Sequence, residues 1–272
     1  KLDVSIIYVV FSSGGGTGSG CGPMLIDLLL DDITSGASSV EAVGAVTIIP
    51  AENESIKAQI NCYECFEELT SIDNIAGTLV IDNSKGDKLQ LNRNMVNAFY
   101  NLIEIPSRDN DERGNIDRAE IKETLAAKGM LMVTKLSAKE SSTAAVLETF
   151  KNSIFAPIEP DRVIKYITMT STGNIDLDAI EKEVGIPLDV FQTYNDNCTI
   201  CCLSGLNYPK ARLDRVYQLA TAHQEQIIKN LQATSENDMR KDVNFLAAMK
   251  KPATDSPKPK TSRRDLMKKY MG

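Results

Sequence analysis

The feature that most constrains the fold is a glycine-rich stretch that directly follows an apolar run. Residues 4–11 read VSIIYVVF, and residues 11–23 read FSSGGGTGSGCGP, with six glycines in thirteen residues. Glycine lets a backbone approach a ligand closely and point successive N–H groups at it. We predict a strand, a phosphate-binding turn and a helix that starts near Cys21, whose N-terminus adds partial positive charge. A flexible surface turn is the simpler alternative, and the tight spacing behind a buried strand argues against it.

Strand-like and helix-like patterns alternate from residue 1 to about residue 83. Near-continuous apolar strands separated by helices predict a parallel sheet that is covered on both faces. In such an α/β fold, ligands bind at the carboxyl ends of the strands. The predicted strands are 4–11, 42–50 and 77–83, and the predicted helices are 22–35 and 54–71.

The order of strand-like and helix-like patterns changes after a predicted core helix at 92–105 and a charged loop. The residues after this loop predict a second, smaller α/β unit on three or four strands. Its predicted strands are 129–137, 162–172 and 197–206, and its predicted helices are 117–127, 142–155, 176–184 and 209–232. The predicted divisions are a nucleotide-binding domain at 1–91, a core helix and loop at 92–113, a C-terminal domain at 114–233, and a disordered tail with a basic end at 234–272.

Charge and hydropathy exclude several classes of partner. A formal net charge of −7 argues against direct nonspecific binding to nucleic acid or to anionic membranes. No apolar run approaches the roughly 18 to 20 residues that a membrane span needs. No signal peptide is visible, so we expect a cytoplasmic protein. The sequence starts without Met inside an apparent interior strand, which suggests that residues are missing upstream.

The six cysteines imitate a zinc ribbon in spacing only. Cys62 and Cys65 form one C-x-x-C pair, and Cys198 and Cys201 form another. The first pair falls in a helical pattern and the second in a buried strand, so neither occupies the tight turn that such ligand pairs usually need. We predict reduced, mostly buried thiols and no metal site.

The spacing of the glycines indicates which type of nucleotide-binding loop this segment resembles. A Walker A loop needs Gly-Lys-Ser/Thr, and no lysine occurs between Lys1 and Lys57. No glycine of the cluster begins the G-x-G-x-x-G spacing of a dinucleotide fold, and no catalytic set for an oxidoreductase is present. The segment instead resembles the signature phosphate loop of the tubulin/FtsZ superfamily. The residues that carry this resemblance are Gly14, Gly15, Gly16, Thr17, Gly18, Ser19 and Gly20.

A second segment matches the same superfamily. Residues 115–121 read NIDRAEI and resemble the acidic loop ahead of a helix that contributes to catalysis in FtsZ and α-tubulin. Taken alone, Asp117 and Glu120 read as a helix capping box, with Asp117 at the N-cap and Glu120 at N3. The two interpretations are compatible, because a capped helix start holds both carboxylates rigidly. With the phosphate loop upstream, we favour Asp117 and Glu120 as catalytic residues.

Further nucleotide contacts follow from the resemblance. Glu54, after the second strand, is expected to meet the ribose, and Asn83 matches the asparagine that reads the base; an ordinary turn asparagine is the alternative. On the core helix, Tyr100 and Glu104 correspond by spacing to a residue that stacks on guanine and one that hydrogen-bonds it. Phe99 is the other candidate for stacking, and a core role is the alternative for both aromatic side chains.

The short connection to Asp117 and the sequence of the second unit resemble the TubZ branch of phages and plasmids. The resemblance implies a cytoplasmic GTPase of a bacterial host that binds GTP or GDP with Mg²⁺, polymerises with itself and segregates DNA. GTP held on one subunit would then be hydrolysed with Asp117 and Glu120 of the next subunit. The basic end of the tail is either a solvated segment or a docking segment, and its partner would then be a neighbouring subunit or, as the resemblance implies, an adaptor of the TubR type rather than DNA or membrane directly.

Two alternatives stay open from the sequence alone. One is an FtsZ-like division protein, and the other is a structural or regulatory module that keeps the fold without hydrolysing nucleotide. The family carries roughly a hundred residues ahead of the first strand, with the first phosphate loop and the loop that senses the γ-phosphate. None of that is in the sequence, so we expect the chain by itself to bind GTP weakly.

Overall fold

The computed structural model of the chain describes residues 4–108, 110–159, 163–173 and 175–237, which contain nine strands and eight α-helices. The strands are β1 (Ile6–Ser12), β2 (Ala42–Ile49), β3 (Thr78–Asp82), β4 (Asn110–Asp111), β5 (Gly114–Asn115), β6 (Met130–Ser137), β7 (Val163–Ser171), β8 (Ile186–Tyr194) and β9 (Cys198–Leu206). The helices are α1 (Gly16–Thr34), α2 (Ile56–Thr70), α3 (Lys88–Ile103), α4 (Ile105–Arg108), α5 (Arg118–Ala126), α6 (Thr143–Lys151), α7 (Leu177–Val184) and α8 (Lys210–Asn237).

Seven of these strands form one sheet in the order β1-β2-β3-β6-β9-β7-β8, and β4 and β5 form a short hairpin. The strands β1, β2, β3 and β6 run parallel, whereas β9 is antiparallel to both β6 and β7. The predicted α/β fold class and the parallel arrangement of the first three strands are confirmed. The two predicted units share this one sheet, and the domain boundaries remain a prediction.

Helices cover both faces of the first half of the sheet. Tyr8 and Phe11 point to opposite faces of β1, because side chains alternate along a strand. The ring of Phe11 lies against Gly22 of α1, whereas Tyr8 contacts Phe99 of α3 and donates a hydrogen bond to the carbonyl of Leu125 in α5. The central strands β2 and β3 are accordingly almost completely buried, as their continuous apolar sequences predict.

The connection between the two halves of the sheet is narrow. The strands β3 and β6 pair through only two residues, at their amino ends. Beyond that point the chain after α6 runs along β3, where the Asp82 N–H donates to Ile154 O at 3.0 Å and the Ala156 N–H donates to Val80 O at 2.8 Å. The connection that follows α6, rather than a strand of the second half of the sheet, therefore contacts the carboxyl end of β3.

The predicted start of the first helix was wrong by six residues. The helix α1 begins at Gly16 rather than near residue 22, and Gly15 is its N-cap. Glycine disfavours helices, but here it permits close packing: a Cβ on Gly18 would lie 2.8 Å from the backbone oxygen of Ser12. Tertiary contact between α1 and β1 thus outweighs local propensity, and Pro23 lies inside the helix.

Three other expectations need correction. The strand β8 was not predicted, and it supplies the fourth strand of the second unit. The helix α3 begins at Lys88, four residues earlier than expected. The helix α8 extends to Asn237 and so covers the first residues of the predicted tail. The rest of that tail, including its basic end, lies outside the described residues, within which no helix is long and apolar enough to span a membrane.

Candidate functional site

The glycine-rich segment, residues 14–20, forms the turn after β1 and the first turn of α1. The first N–H groups of any α-helix have no partner within the helix. Gly15 has no side chain and so cannot cap them, and nothing lies within 4 Å of a Cβ built on Gly16. The start of α1 therefore presents free space and backbone N–H donors together with the positive end of the helix dipole, which suits a phosphate group.

Neighbouring elements hold this segment in place. The side chain of Asn61 in α2 donates a hydrogen bond of 3.2 Å to the carbonyl of Gly14. Pro50 and Ala58 approach so closely that a Cβ on Gly14 would lie 3.3 Å from each of their Cβ atoms. The loop after β2 and the first turn of α2 are therefore direct neighbours of the glycine-rich segment, at the carboxyl edge of the parallel strands.

Behind the segment, the buried hydroxyl of Ser13 shares its one proton between two acceptors. This hydroxyl lies 2.6 Å from the carbonyl of Ile48 and 3.1 Å from the sulfur of Cys62. Burial raises the pKa of the Cys62 thiol to about 12, although the hydrogen bond from Ser13 opposes the rise. Cys62 is therefore a neutral core thiol at neutral pH, and it supports the turn rather than reacting.

The predicted ribose and base contacts, Glu54 and Asn83, come together at this same edge. The Asn83 side-chain amide donates to Glu54 Oε1 at 3.1 Å, and the backbone N–H of Ala51 donates to the same oxygen at 2.9 Å. Lys88, the first residue of α3, forms an ion pair with Glu54 at 2.9 Å. Glu54 thus links the loop after β2, the loop after β3 and the start of α3.

These contacts keep Glu54 ionised. Partial burial alone would raise the pKa of the Glu54 carboxyl, but hydrogen bonds from Lys88, Ala51 and Asn83 outweigh it and lower the pKa below the ordinary value. A carboxylate that is already oriented by three donors accepts one further hydrogen bond at little conformational cost. A sugar hydroxyl is a suitable donor for it.

A functional candidate that the sequence analysis missed lies directly beneath this edge. Arg212, in the first turn of α8, donates to both carboxylate oxygens of Asp82, at 2.7 and 3.1 Å, and to the carbonyl of Pro50 at 2.7 Å. No sequence signal pointed to this pair, because 130 residues separate Asp82 from Arg212.

The predicted catalytic residues form the capping box that their spacing predicts. Asp117 Oδ1 accepts from the N–H groups of Ala119 and Glu120 at 2.7 and 2.9 Å, and Glu120 Oε2 accepts from the Asp117 N–H at 2.8 Å. The capping interpretation is confirmed. Asp117 is exposed and Glu120 is half-buried, so the capped pair lies at the surface of the subunit.

Asp117 and Glu120 are held away from the glycine-rich segment. Lys122, two residues after Glu120, forms an ion pair with Glu41, which immediately precedes β2. Pro50, beside the glycine-rich segment, immediately follows β2. A strand rises about 3.3 Å per residue, so Glu41 and Pro50 lie about 30 Å apart. Within one subunit, the acidic pair therefore lies near the amino edge of β2, and the phosphate-binding candidate lies at its carboxyl edge.

The structure does not bring Tyr100 and Glu104 to the candidate site. The start of α3, at Lys88, lies at the carboxyl edge, and Tyr100 is twelve residues further along the helix. At 1.5 Å per residue, Tyr100 and Glu104 lie about 18 and 24 Å from that edge. Phe99 packs edge-on against Tyr8, with ring centroids 5.3 Å apart. The spacing of Tyr100 and Glu104 identified a shared face of the helix but not which end of the helix lies near the glycine-rich segment.

The remaining cysteines occupy the predicted positions. Cys65 is buried in α2, and Cys198, Cys201 and Cys202 are buried in β9, whereas Cys21 is exposed. Burial raises the pKa of Cys201 to about 12. In the part of the chain that the structure describes, no group of three or more His, Cys, Asp or Glu side chains is arranged to hold a metal ion.

A glycine turn that opens a helix at the carboxyl edge of parallel strands, joined by a core helix to a second α/β half, defines the tubulin/FtsZ-like fold. The resemblance that residues 14–20 and 115–121 predict is confirmed by comparison with known proteins. The chain is similar to the tubulin-like protein TubZ of Clostridium botulinum C phage, with 23% identity over 218 residues. That match covers 79% of this chain and 59% of the phage protein.

Solved structures agree on the fold. The crystal structure of Clostridium botulinum phage c-st TubZ superposes with a TM-score of 0.72 at 23% identity, and the match covers 82% of this chain and 73% of that one. GDP-form protofilaments of TubZ from Bacillus thuringiensis serovar israelensis give a TM-score of 0.66 at 16% identity, with 88% and 71% covered. No protein-family model matches the chain.

Proposed function

We propose that this protein is a GTPase that polymerises and hydrolyses GTP between adjacent subunits. The observation that carries the proposal is the separation of its two candidate half-sites. The glycine-rich segment lies at the carboxyl edge of β2, whereas Glu120 lies near Lys122, which pairs with Glu41 at the amino edge. Stacking subunits head to tail brings the two half-sites together, as a heterologous, filament-forming interface requires.

GTP or GDP is bound at the carboxyl edge. The backbone N–H groups at the start of α1 and the hydroxyls of Thr17 and Ser19 hold the phosphates. Glu54 accepts from the ribose, and the amide of Asn83 contacts the base. Tyr100 and Glu104 are left out of this proposal, because they lie too far along α3. The Bacillus thuringiensis TubZ structure contains protofilaments in a GDP form, which supports guanine nucleotide as the ligand by similarity of fold.

Hydrolysis needs a water molecule that is oriented toward the γ-phosphorus. In the proposed filament, Glu120 of one subunit accepts a hydrogen bond from that water, and Asp117 beside it adds negative charge that polarises the water further. The capping box restricts both side chains to a few conformations. Because positioning contributes most of phosphoryl-transfer catalysis, this rigidity favours the pair as a catalytic group.

Mg²⁺ fits the proposed site only as an ion that the phosphates hold. Asp82, the buried carboxylate at this edge, is already engaged by Arg212, and Glu54 is engaged by Lys88 and two other donors. When bound, Mg²⁺ would offset the negative charge of the phosphates, because Lys88 and Arg212, two cations at this edge, are already paired with Glu54 and Asp82. The residues of the chain itself then bind and orient the nucleotide.

The wider biological role follows from similarity to phage TubZ. We propose that the filaments move or position phage or plasmid DNA in the cytoplasm of a bacterial host. The partner at the tail would be a TubR-like adaptor that binds the DNA, and the protein itself would contact neither nucleic acid nor membrane. Residues 1–91 and 114–233 would act as the nucleotide-binding and activating parts, joined by residues 92–113.

The proposal is tested by measuring GTP hydrolysis per subunit as a function of protein concentration, on protein whose natural N-terminus has been established. Hydrolysis at a shared site predicts a steep rise above a threshold concentration, accompanied by filaments in electron micrographs. A rate per subunit that is flat and above zero would mean that each subunit hydrolyses alone. No turnover at any concentration would leave a non-hydrolysing module.

A further inference from the structure

The first turn of α8 is bonded to two loops at the carboxyl edge of the parallel strands, and the loop after β2 is the one that adjoins the glycine-rich segment. Arg212 donates through Nε and Nη2 to the two carboxylate oxygens of Asp82, the last residue of β3, and through Nη2 to the carbonyl of Pro50, the residue after β2. One side chain therefore connects the ends of two adjacent parallel strands. Those ends are where a ligand of this fold class binds.

Both partners of this ion pair are almost entirely buried. Arg212 is 8% exposed and Asp82 is 1% exposed, and Nη1 of Arg212 has no hydrogen-bond partner among the described residues. A buried ion pair is a poor source of stability, because an apolar pair of similar volume often serves as well or better. The planar, bidentate contact between the guanidinium and the carboxylate nevertheless fixes the distance and the angle between Arg212 and Asp82, which an apolar contact does not.

The groups that Arg212 bonds lead directly to the proposed nucleotide contacts. Asp82 also accepts hydrogen bonds from the Ser84 N–H and hydroxyl, at 2.9 and 2.7 Å, and so shapes the turn that presents Asn83. On the other loop, the Gln59 side-chain amide donates to Ala51 O at 2.7 Å.

The contacts close into a ring. Arg212 joins Pro50 to Asp82, Asp82 precedes Asn83, and Asn83 donates to Glu54. Glu54 in turn accepts from the N–H of Ala51, the residue after Pro50. Breaking the ring at Arg212 leaves the hydrogen bond from Asn83 to Glu54 as its remaining link between the two loops, so that one loop can shift relative to the other while each keeps its own internal hydrogen bonds.

We propose that Arg212 is a positioning residue for nucleotide binding, which holds the loops after β2 and β3 at the spacing that the nucleotide needs. This inference rests on the proposed function. It has a reciprocal consequence, because coupling between two sites acts in both directions. Bound nucleotide, by fixing the two loops, also fixes the first turn of α8.

The test compares Arg212→Lys with Arg215→Lys. Arg215 lies one turn further along α8 and forms an ion pair with Glu52 of the same loop at 2.8 Å, but this pair is about half exposed. Lysine keeps the positive charge at either position but lacks the planar guanidinium that makes two hydrogen bonds to one carboxylate. We expect Arg212→Lys to raise the Kd for GDP about tenfold, while Arg215→Lys leaves it unchanged.

Hydrogen exchange of the amides of residues 210–216 distinguishes a positioning role of Arg212 in nucleotide binding from a purely structural role. We expect GDP to slow the exchange of these amides in the unaltered protein and in Arg215→Lys. In Arg212→Lys, we expect saturating GDP to leave their exchange rates unchanged. Should Arg212→Lys fail to fold, the double variant Arg212→Met with Asp82→Asn removes both charges, so that neither is left buried alone. The same loss of GDP affinity and of protection is expected of it.

The outcomes separate the inference from the proposed function. All variants are made in protein whose natural N-terminus has been established; if that protein, otherwise unaltered, does not bind GDP, the proposed function is contradicted and the inference falls with it. If the unaltered protein binds GDP and the Arg212 variants bind it as tightly as Arg215→Lys does, with the same protection of α8, the inference alone is overturned.

Discussion

Glu54 accepts a hydrogen bond from the Asn83 side chain at 3.1 Å, although 29 residues separate the two in sequence. Each was predicted separately as a nucleotide contact, and the fold brings them together at the carboxyl ends of β2 and β3. This pairing orients the Asn83 amide. A pre-oriented group loses less conformational entropy when a ligand binds.

Replacing Asn83 should weaken guanine nucleotide binding selectively. Asn83→Ala removes the amide that we assign to the base, so the Kd for GDP is expected to rise on the order of 10- to 100-fold. ADP, which lacks the guanine edge, should bind weakly to both proteins. Isothermal titration measures both ligands. Asn94→Ala is the control, because Asn94 is exposed on α3 and bonds only Gln90 among the described contacts; equal losses in both variants would contradict the assignment.

Two substitutions at Glu120 separate catalysis from helix capping. Glutamine at N3 maintains a capping box, whereas alanine does not. If the carboxylate polarises water, Glu120→Gln and Glu120→Ala should both lower GTP turnover on the order of 10²- to 10⁴-fold, while filaments still form.

Turnover and sedimentation of filaments are measured on the same samples. Glu140→Gln is a control for loss of a carboxylate elsewhere, because Glu140 is exposed and bonds the Ser137 hydroxyl. Retained turnover in Glu120→Gln, with turnover lost in Glu120→Ala, would mean that Glu120 serves the cap and not the chemistry.

The helix start at Asp117 and the apolar strands could be predicted from the sequence because the patterns that indicate them lie within short stretches of the chain. A capping box needs only four consecutive residues, and the structure contains both reciprocal hydrogen bonds that it predicts. Apolar strands such as β2 and β3 are likewise recognisable from short windows, since burial on both faces gives a continuous apolar run.

The features that were missed depend on tertiary contact. Arg212 gave no signal because its partner lies on a distant strand. The strand β8 contains Pro187 and Asp189, which disfavour strands, and it is stabilised by pairing along its length with β7. The helix α1 starts among glycines because α1 packs closely against β1 there.

The buried pair of Asp82 and Arg212 predicts an acid-sensitive fold. Burial would raise the pKa of Asp82, but hydrogen bonds from Arg212 and Ser84 outweigh it and lower the pKa below the ordinary 3.8. A lowered pKa in the folded state stabilises the protein above the unfolded value, and that stability is lost as pH falls through the folded pKa.

Urea unfolding between about pH 6 and pH 2 tests this dependence. Asp82→Ala leaves Arg212 buried without a counter-ion, so at neutral pH it should lower the free energy of unfolding by about 3–5 kcal/mol. It should also flatten the acid limb of the profile. Glu52→Gln, which breaks the exposed pair with Arg215, should cost much less, because solvent screens that pair. Similar costs for the two variants would contradict the importance of the buried pair.

Two glycines of the same segment should respond oppositely to alanine. A Cβ on Gly18 would meet the backbone oxygen of Ser12 at 2.8 Å, which cannot rotate away, so Gly18→Ala should destabilise the fold by about 1–3 kcal/mol. A Cβ on Gly16 meets nothing within 4 Å, so Gly16→Ala should stabilise by about 0.5 kcal/mol. Thermal unfolding compares them, and equal effects would contradict the packing of α1 on β1.

The central claim, that two subunits share one active site, is tested most directly by mixing two inactive variants. Gly16→Asp places a carboxylate in the phosphate space without steric conflict, and so should block GTP binding on its own subunit while leaving Asp117 and Glu120 intact. Glu120→Gln subunits should still bind GTP but lack the carboxylate that acts on the GTP of the neighbouring subunit. Gly173→Asp adds the same charge in open space elsewhere and serves as control.

The measurement is the GTP turnover of an equimolar mixture of Gly16→Asp and Glu120→Gln, compared with each variant alone. A shared site predicts that turnover appears in the mixture, because Gly16→Asp subunits supply Glu120 to GTP that is held on Glu120→Gln subunits. At random incorporation, about a quarter of the interfaces would be active. Turnover no greater than the sum of the separate variants, in mixtures that still form filaments, would contradict hydrolysis between subunits.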